Sequence, residues 1–122
     1  MKLITHAICS AIVSAFIPNA FPYLVVSGVA PDIIDYIFKL HHRNKLTHNI
    51  ATVMLLAAAS VYIPSMLYVS LGFLHHLILD IFTVQGIYIF NKRFSISKRR
   101  SNDPIPNSAM LMVHFLFLTL NL

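Results

Sequence analysis

Glutamate and tryptophan are both absent from this chain of 122 residues, and cysteine occurs once. A single Cys9 has no partner within the chain, so an internal disulfide is excluded. The three glycines are dispersed, and a glycine-rich phosphate-binding loop is therefore also lacking. Any carboxylate that acts as a base must be one of only four aspartates.

Charge is scarce in general. Charged residues make up 11% of the chain and hydrophobic residues 57%, whereas soluble domains carry about 25% charged residues. This composition predicts an integral membrane protein, with lipid covering much of the apolar surface. The length fits a single domain spanning residues 1–122.

The apolar segments predict an all-α membrane bundle with a small β-hairpin. The segment Leu3–Ala30 is interrupted by turn-forming residues at 18–22, so it is either a kinked span or a re-entrant hairpin. Two further apolar segments flank Pro64, and a last one covers Ala109–Leu122. β-branched and aromatic residues around a polar turn predict the hairpin near residues 87–97.

The nine basic residues predict the orientation. Eight of them lie in the stretches 32–49 and 83–108, which emerge on one face if the middle segments form a helical hairpin. The positive-inside rule places that face in the cytoplasm, with the protein in the cytoplasmic membrane. No aromatic residues are interleaved with these charges as a base-stacking surface requires, so we expect membrane lipid rather than nucleic acid as a partner.

The most distinctive motif lies inside an apolar helix. His76 and Asp80 are spaced i, i+4 and share one helix face, which Thr83 continues by one turn. This spacing suits a pair of metal ligands. The alternative is a structural histidine–aspartate hydrogen bond between helices, and the adjacent His75 is either a supporting donor or a histidine packed against a neighbouring helix.

A second motif contains two more aspartates. Asp32 and Asp35 follow Pro31 at i, i+3 and can face one point, which suits two metal ions or one ion with a supporting carboxylate. Because Gly28 and Pro31 mark a break, Asp32 could instead cap a helix over Ile33–Leu40.

The third motif is rich in histidine. His41, His42 and His48 lie within eight residues, which could be an ordinary solvated loop. Thr47 is a candidate N-cap for the helix that follows and would hold His48 in place. Arg43 offers the planar fork that binds a phosphate oxygen.

These ligand types indicate a divalent metal. Imidazole and carboxylate together suit zinc best, with manganese or iron as alternatives. Such an ion lowers the pKa of bound water towards 7 and can hold the oxygens of a phosphoester. Hydrolysis is therefore the predicted reaction class.

In combination the motifs resemble a known family. The motifs are an early Thr5-His6, Gly28 with Pro31-Asp32-x-x-Asp35, His42-Arg43 before Thr47-His48, and His76-x-x-x-Asp80. Together they resemble the small inner-membrane metal-dependent hydrolases of the YdjM type over about residues 4 to 97. That family is itself similar to zinc-dependent phospholipase C and P1 nuclease, which are all-helical. The resemblance implies a membrane-embedded metallohydrolase with a ligand set of His6, Asp32, Asp35, His48, His76 and Asp80.

We therefore expect a phosphoester hydrolase that acts on a phospholipid or another membrane-proximal substrate, with catalytic roles for Asp35, Arg43 and Thr83. The alternative is a non-catalytic membrane protein with a structural metal site and a basic face that binds a partner. In either case His6 must lie within about 15 Å of Asp80 for the two to share a site. For His114, alone in the last apolar segment, we expect a hydrogen bond in the core.

Overall fold

The computed structural model describes residues 1–17, 19–40, 44–100 and 102–121. These residues form five helices and one two-stranded antiparallel sheet. The elements are α1 (Leu3–Ser14), α2 (Phe21–Ile37), α3 (Ile50–Ala59), α4 (Met66–Ile81), β1 (Ile87–Ile89), β2 (Lys92–Phe94) and α5 (Pro104–Asn121). The sheet is a hairpin within the predicted range, with Ile87 opposite Phe94 and Ile89 opposite Lys92.

The prediction of an integral membrane bundle is wrong. Within the described ranges, no helix combines the length and the apolar character that crossing a membrane requires. Helices α1 to α4 have 12, 17, 10 and 16 residues, against about 20 for the hydrocarbon core. Helix α5 has 18 residues, but prolines and asparagines reduce its hydropathy. The transmembrane helices and the membrane localisation inferred from composition are therefore not supported.

Helices α1 and α2 form a helical hairpin. The chain turns back between Ser14 and Phe21, and Asn19 adopts a left-handed φ of 62° that asparagine tolerates. Helix α1 packs against α2 and α5, while α2 packs most extensively against α4. Of the two sequence interpretations, the returning chain is the one observed, and it brings His6 back beside Asp32.

Helix α2 runs through Pro31 without a break. The predicted separate helix over Ile33–Leu40 is therefore not found, and Asp32 lies inside α2 rather than at a helix cap. Pro31 has no N–H to donate to the carbonyl of Ser27, one turn earlier. The aspartates thus project from the last turns of a continuous helix.

Glycines let the helices approach closely. A Cβ on Gly72 of α4 would lie 1.8 Å from Ser27 Oγ and 3.0 Å from the Leu24 carbonyl oxygen, both on α2. A Cβ on Gly28 would lie 2.1 Å from Ser10 Oγ on α1. The backbones of α1, α2 and α4 therefore approach one another closely, next to the site described below.

The hairpin is fixed to the segment that precedes α3. The Tyr88 N–H donates to the His48 carbonyl over 2.7 Å. Asn49 donates through Nδ2 to the Phe90 carbonyl over 2.8 Å and accepts from the Phe90 N–H over 3.1 Å. Asn49 is also the N-cap of α3, accepting from the Ala51 N–H, so the prediction that Thr47 caps this helix is wrong.

Most of the buried apolar residues belong to two clusters. One contains Val53, Phe73, Leu77 and Ile87 and joins α3, α4 and β1. The other contains Met1, Cys9 and Leu79. Both clusters include residues from the second half of α4, so they hold the helix that carries His76 and Asp80.

We expect Gly72→Ala to destabilise the fold by about 1–3 kcal/mol, because the added methyl group overpacks the α2–α4 contact. Alanine improves helix propensity by only about 1 kcal/mol, and the Leu24 backbone cannot yield. The double variant Gly72→Ala with Ser27→Ala removes the closest clash and should recover part of the loss. Chemical denaturation measures both, and a Gly72→Ala protein as stable as the wild type would contradict the packing.

Candidate metal centre

Five side chains from four parts of the chain converge on one point. His6 comes from α1, Asp32 from α2, His48 from the turn before α3, and His76 and Asp80 from α4. The three imidazoles and Asp80 are fully buried, whereas the Asp32 side chain is 12% exposed. The cluster includes both His6 and Asp80, which must lie close together if they share one site.

The spacings within the cluster match those of ligands around an ion. His6 Nε2 lies 3.2 Å from Asp80 Oδ1, and His76 Nε2 lies 3.3 Å from Asp80 Oδ2. His48 Nε2 lies 3.3 Å from Asp32 Oδ1 and 3.1 Å from His76 Nε2. Ligands about 2.0–2.2 Å from a zinc ion are separated from one another by distances of this order.

The ligand atoms form two overlapping groups. One consists of His6, Asp32 and His76, and the other of His48, His76 and Asp80, with all ligand atoms of a group within 4.8 Å of one another. Since His76 belongs to both groups, the cluster can hold one ion with many ligands or two neighbouring ions. These buried groups can thus hold a metal ion.

The tautomer of His76 is fixed by a backbone carbonyl. Its Nδ1 lies 2.8 Å from the Gly28 carbonyl oxygen. A carbonyl can only accept, so Nδ1 carries a proton and Nε2 faces the cluster. The sequence singled out Gly28 only as a helix break, because a backbone contact between distant helices leaves no signal in a motif.

His48 is held in a similar way by Asp35 and Thr47. His48 Nδ1 lies 3.4 Å from Asp35 Oδ2 and 3.0 Å from Thr47 Oγ1, and Thr47 donates to Asp35 Oδ1 over 2.6 Å. Asp35 also accepts from the Asn44 N–H over 3.0 Å. Asp35, predicted as a metal ligand, therefore lies one layer behind the cluster, where it orients His48.

The orientation of these rings suits a bound cation. His48 Nε2 and His76 Nε2 face each other across 3.1 Å. In the part of the chain that the structure describes, the buried His6 Nδ1 has no hydrogen-bond partner. Buried lone pairs facing one another are costly unless a proton or a metal ion lies between them.

Burial keeps the histidines ready to bind a metal. It lowers the pKa of His6 to about 4, with the positive charge of His76 acting in the same direction. It also lowers the pKa of His48. Near neutral pH these rings are therefore uncharged and carry the lone pairs that a metal requires.

Asp32 stays ionised. Burial raises its pKa, but a hydrogen bond from His48 and the charge of His76 lower it to a net value of about 2. That hydrogen bond needs a proton on His48 Nε2, the position that a metal ion would take. The Met1 amino group, 2.6 Å from Asp80 Oδ1, places another positive charge against the second carboxylate.

Thr83, also predicted as catalytic, contacts the backbone at the end of α4. Thr83 is buried and donates to the Asp80 carbonyl oxygen over 2.9 Å, so it stabilises the end of α4. Arg43 lies outside the described residues, as do His41 and His42.

A second polar chain joins α1, α4 and α5. His114 Nδ1 lies 2.8 Å from the Met110 carbonyl oxygen, His75 Nε2 lies 3.0 Å from His114 Nε2, and Ser10 Oγ lies 3.0 Å from His75 Nδ1. The carbonyl fixes the direction, so each group donates to the next from Ser10 to Met110. His114 is therefore hydrogen-bonded as predicted, and its partner is the histidine next to His76.

Comparison of the chain with protein-family models, with curated proteins and with solved structures gave no match. The resemblance to YdjM-type hydrolases therefore stays a prediction.

We expect the purified protein to bind zinc or manganese and Asp80→Asn to lose this binding, because an amide is neutral and a poor ligand. Asp103→Asn is the matched control, since Asp103 pairs with Arg99 near the surface. Calorimetric titration and the metal-induced rise in melting temperature measure the effect. If Asp80→Asn binds metal as tightly as Asp103→Asn, the site is misassigned.

We expect the free energy of unfolding of the metal-free protein to fall as pH is lowered from 6.5 to 4. Burial lowers the folded-state pKa values of His6 and His75 to about 4, against 6.5 in the unfolded chain. The unfolded chain therefore takes up protons first, and each ring costs on the order of 2 kcal/mol by pH 4. His6→Gln should flatten the profile, and stability independent of pH in this window would contradict burial of the neutral rings.

Proposed function

We propose that this chain is a metal-dependent hydrolase that cleaves a phosphoester. The observation that carries the proposal is the convergence of three imidazoles and two carboxylates on one buried point. Zinc is the ion that this ligand set suits best, with manganese or iron as alternatives. A bound ion of this kind lowers the pKa of a coordinated water towards 7.

Access to the site supports catalysis rather than a purely structural role. A catalytic metal keeps a coordination position for water or substrate. Asp32, the one partly exposed member of the cluster, borders two cavities of about 340 and 320 Å³. Substrate and water can therefore reach the cluster from the Asp32 side.

The protein's own groups have separable roles in this proposal. His6, His48, His76, Asp32 and Asp80 hold the ion, and two carboxylates balance the charge of one divalent cation. Asp35 and Thr47 orient His48, while the Gly28 carbonyl orients His76. Asp32 is also the carboxylate placed to take a proton from water, because it is the member that solvent reaches.

A structural metal site is the second candidate, favoured by the complete burial of the three histidines and Asp80. The two differ in coordination: a structural ion is closed by four protein ligands, whereas a catalytic ion retains an exchangeable water. Cobalt substitution followed by optical spectroscopy separates them, because added phosphate perturbs only an open site.

The test of the proposal is hydrolysis of generic phosphomonoester, phosphodiester and phospholipid substrates with zinc and with manganese. We expect metal-dependent turnover by the wild type and by Asp103→Asn, and none by Asp80→Asn. Tight metal binding without cleavage of any substrate, together with a cobalt spectrum insensitive to phosphate, would overturn the hydrolase in favour of the structural site.

We expect Asp35→Asn to weaken metal affinity or activity by about 10–100-fold, the usual effect of removing a group that orients a metal-binding histidine. The fold should persist, because Thr47 can donate to the amide oxygen. Metal titration and kinetics measure the change, with the melting temperature as the control. Unchanged affinity and activity would show that Asp35 does not act through His48.

A further inference from the structure

Two cavities with different lining residues meet beside Asp32. The first is lined by Asp32, Asp35, Tyr36, Lys39 and Leu40 and encloses about 340 Å³. The second is lined by Met1, Leu3, Asp32, Ile33 and Tyr36 and encloses about 320 Å³. Asp32 and Tyr36 border both, so a ligand at the metal centre can extend into either cavity.

The lysine that lines the first cavity, Lys39, has a strained backbone conformation. Lys39 has a left-handed φ of 50°, a conformation usually taken by glycine at the end of a helix. Its N–H donates to the Tyr36 carbonyl and the Leu40 N–H donates to the Asp35 carbonyl, which is the Schellman pattern. The exposed Lys39 side chain therefore starts from a constrained backbone position and brings a positive charge to the cavity that Asp32 and Asp35 also line.

The second cavity offers hydrocarbon contacts instead. Leu3 and Ile33 keep apolar side chains partly exposed there, and Tyr36 is 85% exposed between the two cavities. Exposed aliphatic groups beside an anion-binding position are suited to a ligand with one charged end and one apolar end.

We propose that the substrate is an amphiphile, a phosphoester of a hydrophobic alcohol, with its phosphate facing Lys39 and its hydrocarbon group in the cavity of Leu3 and Ile33. This rests on the proposed hydrolase function. In the reaction the water oxygen bonds to phosphorus and the phosphorus–oxygen bond to the alcohol breaks. One water proton passes to the departing alkoxide and gives the free alcohol. The remaining hydroxyl group of the water stays on phosphorus in the phosphate product.

Binding of alkyl phosphonates to the zinc-loaded protein tests the proposal without catalysis, because their phosphorus–carbon bond is not hydrolysed. Calorimetry with methyl, butyl and hexyl phosphonate should show affinity rising about three- to fourfold per methylene, the factor expected when a CH₂ group is buried. Inorganic phosphate is the reference. Equal affinity for phosphate, methyl and hexyl phosphonate would overturn the proposal in favour of a free phosphate or a small polar ester.

Substitutions at Lys39 test where the phosphate end of the ligand binds. Lys39→Met and Lys39→Gly should both weaken every phosphonate at least fivefold, while Lys45→Met, at an exposed lysine outside both cavities, should not. Lys39→Gly should at the same time raise the melting temperature, because glycine relieves the left-handed strain. Weaker binding in a more stable protein cannot result from unfolding, and unchanged binding in both Lys39 variants would contradict the assignment.

Ile33→Asn should reduce the dependence of phosphonate affinity on chain length, because a polar group replaces part of the apolar lining. Ile37→Asn is the matched control, an exposed isoleucine on the same helix that lines neither cavity. Chain-length dependence that Ile33→Asn leaves unchanged would place the hydrocarbon group elsewhere.

The failures of the two proposals are distinguishable. If alkyl phosphonates bind with these dependences but no phosphoester is cleaved, the amphiphile site stands and the hydrolase fails. If phosphoesters are cleaved at rates independent of the alcohol, the hydrolase stands and the amphiphile proposal fails.

Discussion

The structure depends on the need to balance buried charge and lone pairs at one point. Asp80 is fully buried, the Asp32 side chain is only partly exposed, and three imidazoles surround them. An isolated buried carboxylate is expensive, and breaking such a pairing costs several kcal/mol. A divalent cation offsets two carboxylates and accepts the imidazole lone pairs, so one ion removes both penalties.

The surrounding fold serves to fix those ligands. Close approach at Gly28 and Gly72 brings α1 and α4 against α2, and the same Gly28 supplies the carbonyl that orients His76. On the other side the hairpin holds the His48 carbonyl through Tyr88, while Asp35 holds its ring. A substitution in the hairpin or at a helix contact can therefore change the metal centre without touching a ligand.

The sequence predicted the parts of this site that depend on local geometry. The i, i+4 spacing of His76 and Asp80 puts both on one face of α4. The turn near Asn19 was also recognised, although the sequence left a kinked span and a returning chain both open there. What it could not predict depends on contacts between distant segments, such as the position of Asp35 behind His48. Pro31 was misleading for a different reason, because the single lost hydrogen bond does not end α2 when the helix is packed along its length.

Composition led to the wrong conclusion about the membrane. The high apolar content reflects many large hydrophobic side chains left exposed on short helices, such as Val26, Leu55 and Leu120, rather than spans of continuous length. Hydrophobic content measures how much apolar surface a chain has, whereas spanning a membrane requires that surface on one long helix.

X-ray absorption spectroscopy of the zinc-loaded protein identifies the atoms bound to the ion. We expect imidazole nitrogens and carboxylate oxygens at about 2.0–2.2 Å, with several imidazoles and no sulfur. A shell of oxygen alone, or one containing the Cys9 sulfur at about 2.3 Å, would contradict this ligand set.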